Sequence, residues 1–199
     1  MSSTVLYMSV SLDGFVTGPN VRNDNGLGDG GDRLHEWVFP GATGGDFGAA
    51  VERLDGVNRQ IYDEVMDTGA VIAGRATFEP AGGWGGDHHD GVPIYILSRN
   101  LAPEWTSDWP AVQYVKDLDA AVREAKSAAG KKNVLVHGSS IAQRALAAGL
   151  LDELELHLVP VLLGDGTRLF EHLEPRELER IRVLEGEGGV THVRYRVLR

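Results

Sequence analysis

Asn133-Val134-Leu135-Val136-His137-Gly138-Ser139-Ser140-Ile141-Ala142-Gln143-Arg144-Ala145-Leu146 is the stretch on which the reading of this chain turns. Asn133 to His137 is apolar enough for a short strand, and Gly138 to Ser140 is a run of small turn residues. From Ile141 the pattern is that of a helix, with Gly149 as its stop. A strand, a tight turn and a helix start gather unpaired backbone N–H groups at one point, and the helix dipole adds partial positive charge there. Such a point suits a phosphate or diphosphate. A plain strand-to-helix connection reads the same way, because small residues are also ordinary N-caps.

The neighbouring segments extend the alternation. Val5 to Val10 reads as a strand running into Ser11-Leu12-Asp13-Gly14, and residues 18–34, rich in Gly, Asn and Asp, as a loop. Apolar positions at Val51, Leu54, Val57, Ile61, Val65 and Met66 predict one amphipathic helix over residues 51–67, with Gly69 as its cap. Strands are expected at Ala70–Ala73, Val92–Leu97 and Ala111–Val115, then a helix from Leu118 to about Ala128. Glu153 to Val161 alternates, and Ile181–Glu185 and Val190–Leu198 pair around Gly186-Glu187-Gly188-Gly189 as a closing hairpin. Strands alternating with helices and then strands alone predict an α/β fold. Its central sheet is mixed and mostly parallel, with an antiparallel hairpin at the C-terminal end. No repeat, low-complexity tract or linker is visible, so a single domain over residues 1–199 is expected.

Composition narrows the function. The 199 residues carry a formal net charge of −10 without any Lys/Arg run, which argues against a nucleic-acid binder. There is no cysteine, hence no disulfide, thiolate metal site or catalytic thiol. No stretch approaches the roughly 20 apolar residues of a membrane span, and Met1 to Met8 has no basic segment of a secretion signal. A cytoplasmic enzyme is the default expectation. The histidines have no metal-ligand spacing, and His88-His89 with Asp87 and Asp90 read as a solvated loop, so no metal is expected.

Three turns carry the candidate chemistry. Gly74-Arg75-Ala76-Thr77-Phe78 follows one strand: Gly74 allows close backbone approach, Arg75 offers a fork of donors, and Thr77 caps a helix or donates to phosphate. Equally, Arg75 is a surface residue beside a helix cap. Ser98-Arg99-Asn100 follows the next strand in the same manner. With residues 138–140 these make three anion-capable turns, and in open α/β sheets such turns gather at the carboxyl edge where ligands bind. Trp84, between Gly82-Gly83 and Gly85-Gly86, either covers a flat ligand or anchors the edge of the core. Asp13 is the candidate pocket acid, or else the first residue of an Asx-type turn.

Taken together these segments resemble the dihydrofolate reductase-like superfamily, and more closely the reductase domain of the bacterial riboflavin-biosynthesis deaminase–reductase. The matching residues are Ser11-Leu12-Asp13-Gly14-Phe15-Val16, Gly74 to Phe78, Leu97-Ser98-Arg99-Asn100, Val136 to Ser140, Gly149-Leu150-Leu151-Asp152-Glu153-Leu154, and the long block Val159 to Phe170. The resemblance runs from residue 4 to residue 198 and implies a three-layer α/β/α dihydrofolate reductase-like fold and an NADPH-dependent reductase. It implies cofactor phosphates on Gly74, Arg75 and Thr77 and on Gly138, Ser139, Ser140, Ile141 and Ala142. It further implies the adenosine 2′-phosphate on Ser98 and Arg99, and the nicotinamide beside Val10. The segment holding Asp13 and the loop holding Trp84 would border the substrate, a pyrimidine, pterin or similar flat heterocycle. Where the riboflavin enzymes carry Asp-Asp-Pro, this chain reads Phe78-Glu79-Pro80-Ala81-Gly82. Folate reduction, or nucleotide binding without catalysis, is the alternative. A homodimer is expected as well, through the apolar run from Leu154 to Phe170, whose strand reads as apolar on both faces beyond Val159.

Overall fold

The computed structural model describes residues 2–40 and 47–199. In chain order the elements are β1 (Thr4–Ser11), β2 (Phe15–Thr17), α1 (Phe47–Glu52), α2 (Gly56–Met66), β3 (Ala70–Gly74), α3 (Arg75–Phe78), β4 (Ile94–Leu97) and β5 (Val112–Val115). There follow α4 (Leu118–Ala129), β6 (Val134–His137), α5 (Ser139–Ala147), β7 (Glu153–Val159), β8 (Thr167–Arg168), β9 (Leu178–Glu185) and β10 (Thr191–Val197). Eight strands form one sheet in the order β5-β4-β3-β6-β1-β7-β10-β9. The pairs from β5 across to β7 are parallel, and β10 runs antiparallel to both β7 and β9. This is the mixed, mostly parallel sheet with a closing hairpin that the alternation of elements implies. No described helix is long and apolar enough to cross a membrane.

Alternation along the strands builds the two outer layers. Leu6, Met8 and Val10 of β1 pack with Val134 and Val136 of β6 against Leu118, Ala121, Val122 and Ala125 of α4 and Ile141, Ala142 and Ala145 of α5. Val5 and Tyr7, with Leu135 and Val71, face the opposite way, toward Phe78 of α3 and Val65 of α2. The core strands are therefore apolar on both sides, as parallel strands covered by helices on both faces must be.

Two expectations change. Residues 51–67 are not one helix: α1 ends at Glu52 and α2 starts at Gly56. Asp55 is extended (φ −138°, ψ −175°) and makes no side-chain cap. The cap comes instead from Glu187, whose carboxylate accepts from Asn58 N at 3.2 Å. A Cβ on Gly56, at φ +53°, would sit 2.1 Å from that carboxylate, so only glycine admits the contact. Secondly, the polar side of the alternating strand β7 is not in water. Leu154, Leu156 and Leu158 face α4 and α5, whereas Glu155 and His157, 0% and 3% exposed, face α2. Val161 beyond it is buried and Leu162 is exposed. The small sheet β2–β8, with the Arg168 guanidinium 4.4 Å above the Phe15 ring, has no counterpart in the sequence reading.

Candidate functional site

β4, β3, β6 and β1 lie side by side and parallel, so the turns after them share one edge. Gly74 ends β3, and a Cβ there would lie 3.1 Å from Ser140 Oγ. Gly138, at φ +101° and ψ 147°, precedes α5. A Cβ on Gly138 would lie 2.2 Å from Thr77 Oγ1. The turns after β3 and β6 are thus in contact; Gly138 is required by its positive φ and the closeness of the approach, and at Gly74 the fit is tight. The first helical bond of α5 runs from Ala142 N to Gly138 O at 3.1 Å. The amides of Ser139, Ser140 and Ile141 precede it and have no carbonyl of their own helix to reach. Ser139 and Ser140 are partly or fully exposed, whereas Ile141 and Ala142 bury their side chains in the core and offer backbone alone.

The strands themselves open at this edge. β1 pairs with β6 only from Thr4 to Leu6, yet with β7 it continues to Ser11 opposite Val159. Beyond Leu6, β1 therefore presents a free edge toward the end of β6. Val10 lies in this part, with its side chain 5% exposed in the core. The gap is the seam beside which the phosphate turn stands, with Met8 Sδ accepting from Gly138 N at 3.3 Å. The free amides at the start of α5 and the glycines at 74 and 138 could hold a diphosphate.

The remaining predicted residues are less uniform. Ser98 is 8% exposed and spends its hydroxyl on Asn100, accepting from the amide and donating to the carbonyl, both at 3.0 Å. Arg99 beside it is exposed and makes no ion pair with a described residue. Arg75 is not a free fork of donors. Its Nε and Nη2 donate to both oxygens of Glu79 at 2.7 and 2.9 Å, and Tyr114 donates to the same carboxylate at 3.2 Å. Glu79, the residue directly after α3, is the i,i+4 partner that neutralises it. Asp13 is also engaged. It accepts from Ser11 Oγ at 2.6 Å, from Leu163 N at 3.2 Å and from Gly164 N at 2.7 Å. The Ser11 hydrogen bond, aided by those amides, holds its carboxyl down at about 2. Asp13 is thus a carboxylate at neutral pH that clips the turn after β1 to the one before β8, not a proton donor. Trp84 is half-buried on a run of five left-handed residues, Gly82 to Gly86, with its own φ at +51°. The four glycines let the chain coil that way and aim the indole at His88 and the end of β6.

Sequence reading misses the histidines. Six of the seven come to the α2 side of the sheet or its rim. Burial pushes His35 and His137 down to about 4 and His88 to about 3, with neighbouring imidazoles adding to the shift on His88 and His137. His192 is lowered to about 4 by burial, and His157 lies well below its ordinary value. In the unfolded chain these groups titrate near 6.5. The unfolded state therefore binds more protons between about pH 4 and 6.5, and stability rises with pH across that window. It is complete above pH 6.5 and is lost as pH falls toward 4. His192 alone, 0% exposed, accounts for at most about 3 kcal/mol. Urea unfolding at pH 7 and pH 5 should differ by about 2 kcal/mol or more. Equal stabilities would show that the imidazoles are not held neutral.

The fold is thus an open α/β sheet with an anion-ready helix start beside the place where β1 and β6 part. The chain belongs to the RibD C-terminal domain family, whose model matches residues 3–191. Among solved structures it resembles a provisionally assigned riboflavin biosynthesis protein from Shewanella sp. PV-4, with 22% identity, a TM-score of 0.68 and 99% of both chains covered. It also resembles a pyrimidine reductase-like protein from Corynebacterium diphtheriae (15% identity, TM-score 0.66, covering 100% of this chain and 92% of that one). RibD from Acinetobacter baumannii superposes with a TM-score of 0.62 at 14% identity, covering all of this chain and 59% of that one. No curated protein is significantly similar in sequence.

Proposed function

We propose that this protein is an NADPH-dependent reductase that delivers a hydride to a C=N or C=O bond of a pyrimidine, pterin or similar flat heterocyclic substrate. The observation that carries the reading is the contact between the turns at Gly74–Thr77 and Gly138–Ile141 beside the open seam of β1. The cofactor supplies the hydride, and the chain binds and orients it. Amides of Ser139 to Ile141 receive the diphosphate, Thr77 borders it, and Arg99 takes the 2′-phosphate. The binding-only alternative is decided by oxidation of NADPH with a panel of pterins, pyrimidines and quinones: no turnover with any of them overturns the enzyme reading.

Arg99→Ala should weaken NADPH far more than NADH. A charge-assisted bond to the 2′-phosphate is worth about 1.5–3 kcal/mol, or roughly 10- to 150-fold. Calorimetry giving equal losses for the two cofactors would remove Arg99 from the site.

For the homodimer expected from the sequence, the exposed apolar residues of β9, which lies beyond β10 at the sheet's edge on the β7 side, favour a contact there. Leu156 of β7 stands in register with Val193 of β10, and Val193 with Val183 of β9, which is 43% exposed. Leu178 and Ile181 on β9 are 41% and 40% exposed. We place the two-fold contact on this outer end of the sheet. Light scattering at micromolar concentration should give about twice 21.5 kDa, and a monomer mass would reject the contact.

A further inference from the structure

Two buried imidazoles meet beneath Trp37. His157 of β7 and His192 of β10 are partners in the antiparallel pair, 3% and 0% exposed, with Nδ1 of one 2.9 Å from Nδ1 of the other. The Trp37 indole contacts both, its ring 4.5 Å from His157 and 4.8 Å from His192. Trp37 Nε1 donates to Ser9 Oγ at 2.8 Å. Ser9 is the residue of β1 in register with His157, and it stands in the part of β1 that runs beyond its pairing with β6. The two imidazoles, Trp37 and Ser9 thus fasten the chain around Trp37 to the α2 face of the sheet, beside the seam.

Asn58 of α2 settles which ring donates. Its Nδ2 lies 3.1 Å from Trp37 O and 3.1 Å from Glu187 O, both of them acceptors. The amide is therefore oriented, and its Oδ1, 3.1 Å from His192 Nε2, accepts from that nitrogen. His192 carries its proton on Nε2. In the neutral ring its Nδ1 is then the acceptor, and His157 Nδ1 the donor. Gly186 packs against this arrangement: a Cβ there would lie 2.2 Å from Asn58 Oδ1 and 2.7 Å from His192 Nε2.

The contact between the two Nδ1 atoms has room for one proton. A second proton turns the acceptor into a donor and sets two N–H groups face to face. Among the described residues, Arg182 of β9, His35 of the turn Gly31–His35 and His137 of β6 oppose added positive charge on the pair. Glu64 of α2 and Glu187 of the β9–β10 turn favour it on His192. Both carboxylates are already engaged, Glu64 by Arg182 and Glu187 by Asn58 N. Glu155, two positions from His157 on the same face of β7, is also bound by Arg182. Burial prevails: it holds His192 down to about 4 and His157 well below its ordinary value.

We propose that the His157–His192 pair is an acid-released latch, which when neutral clamps Trp37 onto Ser9 and closes the α2 side of the seam, and which on taking a second proton lets that wall go. That the seam holds the cofactor rests on the reductase reading. The latch itself does not, and is read in the free protein.

Hydrogen exchange of the Trp37 indole N–H, followed by nuclear magnetic resonance and corrected for the intrinsic rate at each pH, measures its opening. With about 4 for the latched ring and 6.5 for a released one, the released-to-latched ratio rises about twentyfold from pH 7 to pH 5. Protection of the Trp37 indole should fall by that factor. It should also be lower at both pH values than that of the Val136 amide, in the middle of the sheet, because the latch opens without global unfolding. The double variant His157→Asn, His192→Gln keeps an amide contact and has no proton to gain there, so its Trp37 protection should change less than about threefold. Nitrogen spectra of wild-type protein cover the case in which that variant fails to fold. At pH 7 they should show His192 protonated on Nε2 alone and His157 on Nδ1 alone. Equal protection of Trp37 and Val136, an undiminished fall in the double variant, or a proton on His192 Nδ1 at pH 7 would each overturn the latch. NADPH at ten times its Kd should raise Trp37 protection about tenfold. Bound NADPH without that effect would overturn the link between latch and seam. If NADPH fails to bind while the indole results hold, the reductase reading falls and the latch stands.

Discussion

Ser139→Glu is expected to abolish NADPH binding while the fold survives. Ser139 is the first residue of α5 and is half-exposed, so the larger side chain has room. A carboxylate at that point is favourable to the helix itself, by about 0.3–1 kcal/mol, because it meets the positive end of the dipole. The same carboxylate occupies the amides of Ser139 to Ile141 and repels a diphosphate. Loss of two charge-assisted bonds amounts to about 3 kcal/mol or more, over a hundredfold in affinity. NADPH fluorescence titration reads the first effect and thermal unfolding the second. Wild-type affinity in a folded variant would take the phosphate turn away from residues 138–142 and with it the main support of the reductase reading.

The largest loss of stability is expected from Arg182→Leu. A row of polar residues crosses the sheet under α2: Tyr7 of β1 stands beside Glu155 of β7, then Arg194 of β10, then Arg182 of β9. Glu155 is 0% exposed. Its Oε2 accepts from Arg182 at 3.0 Å and lies 3.9 Å from Arg194, while its Oε1 has no partner. Burial raises the Glu155 carboxyl, and burial holds the Tyr7 phenol at about 12. Arg182 also binds both oxygens of Glu64 on α2, tying the helix to the sheet. Removing the cation strands a buried carboxylate, which costs about 3–5 kcal/mol. Adding Glu155→Gln should recover part of that loss. Urea unfolding giving less than about 1 kcal/mol for Arg182→Leu would mean that Glu155 is already protonated in the folded protein.

Local patterns were enough for the elements that bury a simple face. The apolar runs at 5–10, 70–73 and 133–137 became β1, β3 and β6, and residues 118–128 became α4. They were legible because a strand covered by helices on both sides needs only a short unbroken run of apolar residues. The break between α1 and α2 was not legible, since the residue that caps α2, Glu187, lies 129 positions away from Asn58. The polar side of β7 was hidden for the same reason. Glu155 and His157 look like solvent-facing residues of an alternating strand, and only α2 and Trp37 from elsewhere in the chain make that face interior.

The site divides along the same line. The turn at Gly74 to Thr77 and the helix start at Gly138 to Ala142 were legible in the sequence because such local structures impose their residue types on near neighbours, and the phosphate assigned to them is a proposal. Arg75 and Asp13 were found as charges, but their tasks were set by partners: Glu79 neutralises the one, and the amides of Leu163 and Gly164 hold the other as a clip. The buried histidines were invisible as a group, because His35, His137, His157 and His192 come from separate segments. The sequence by itself determined the order of strands and helices and the phosphate-ready turn, since both depend on near neighbours in the chain. Tertiary structure alone decided which charges are spent, which imidazoles are stripped of water, and where the β1–β6 seam opens, since burial and pairing are properties of residues that meet only after folding.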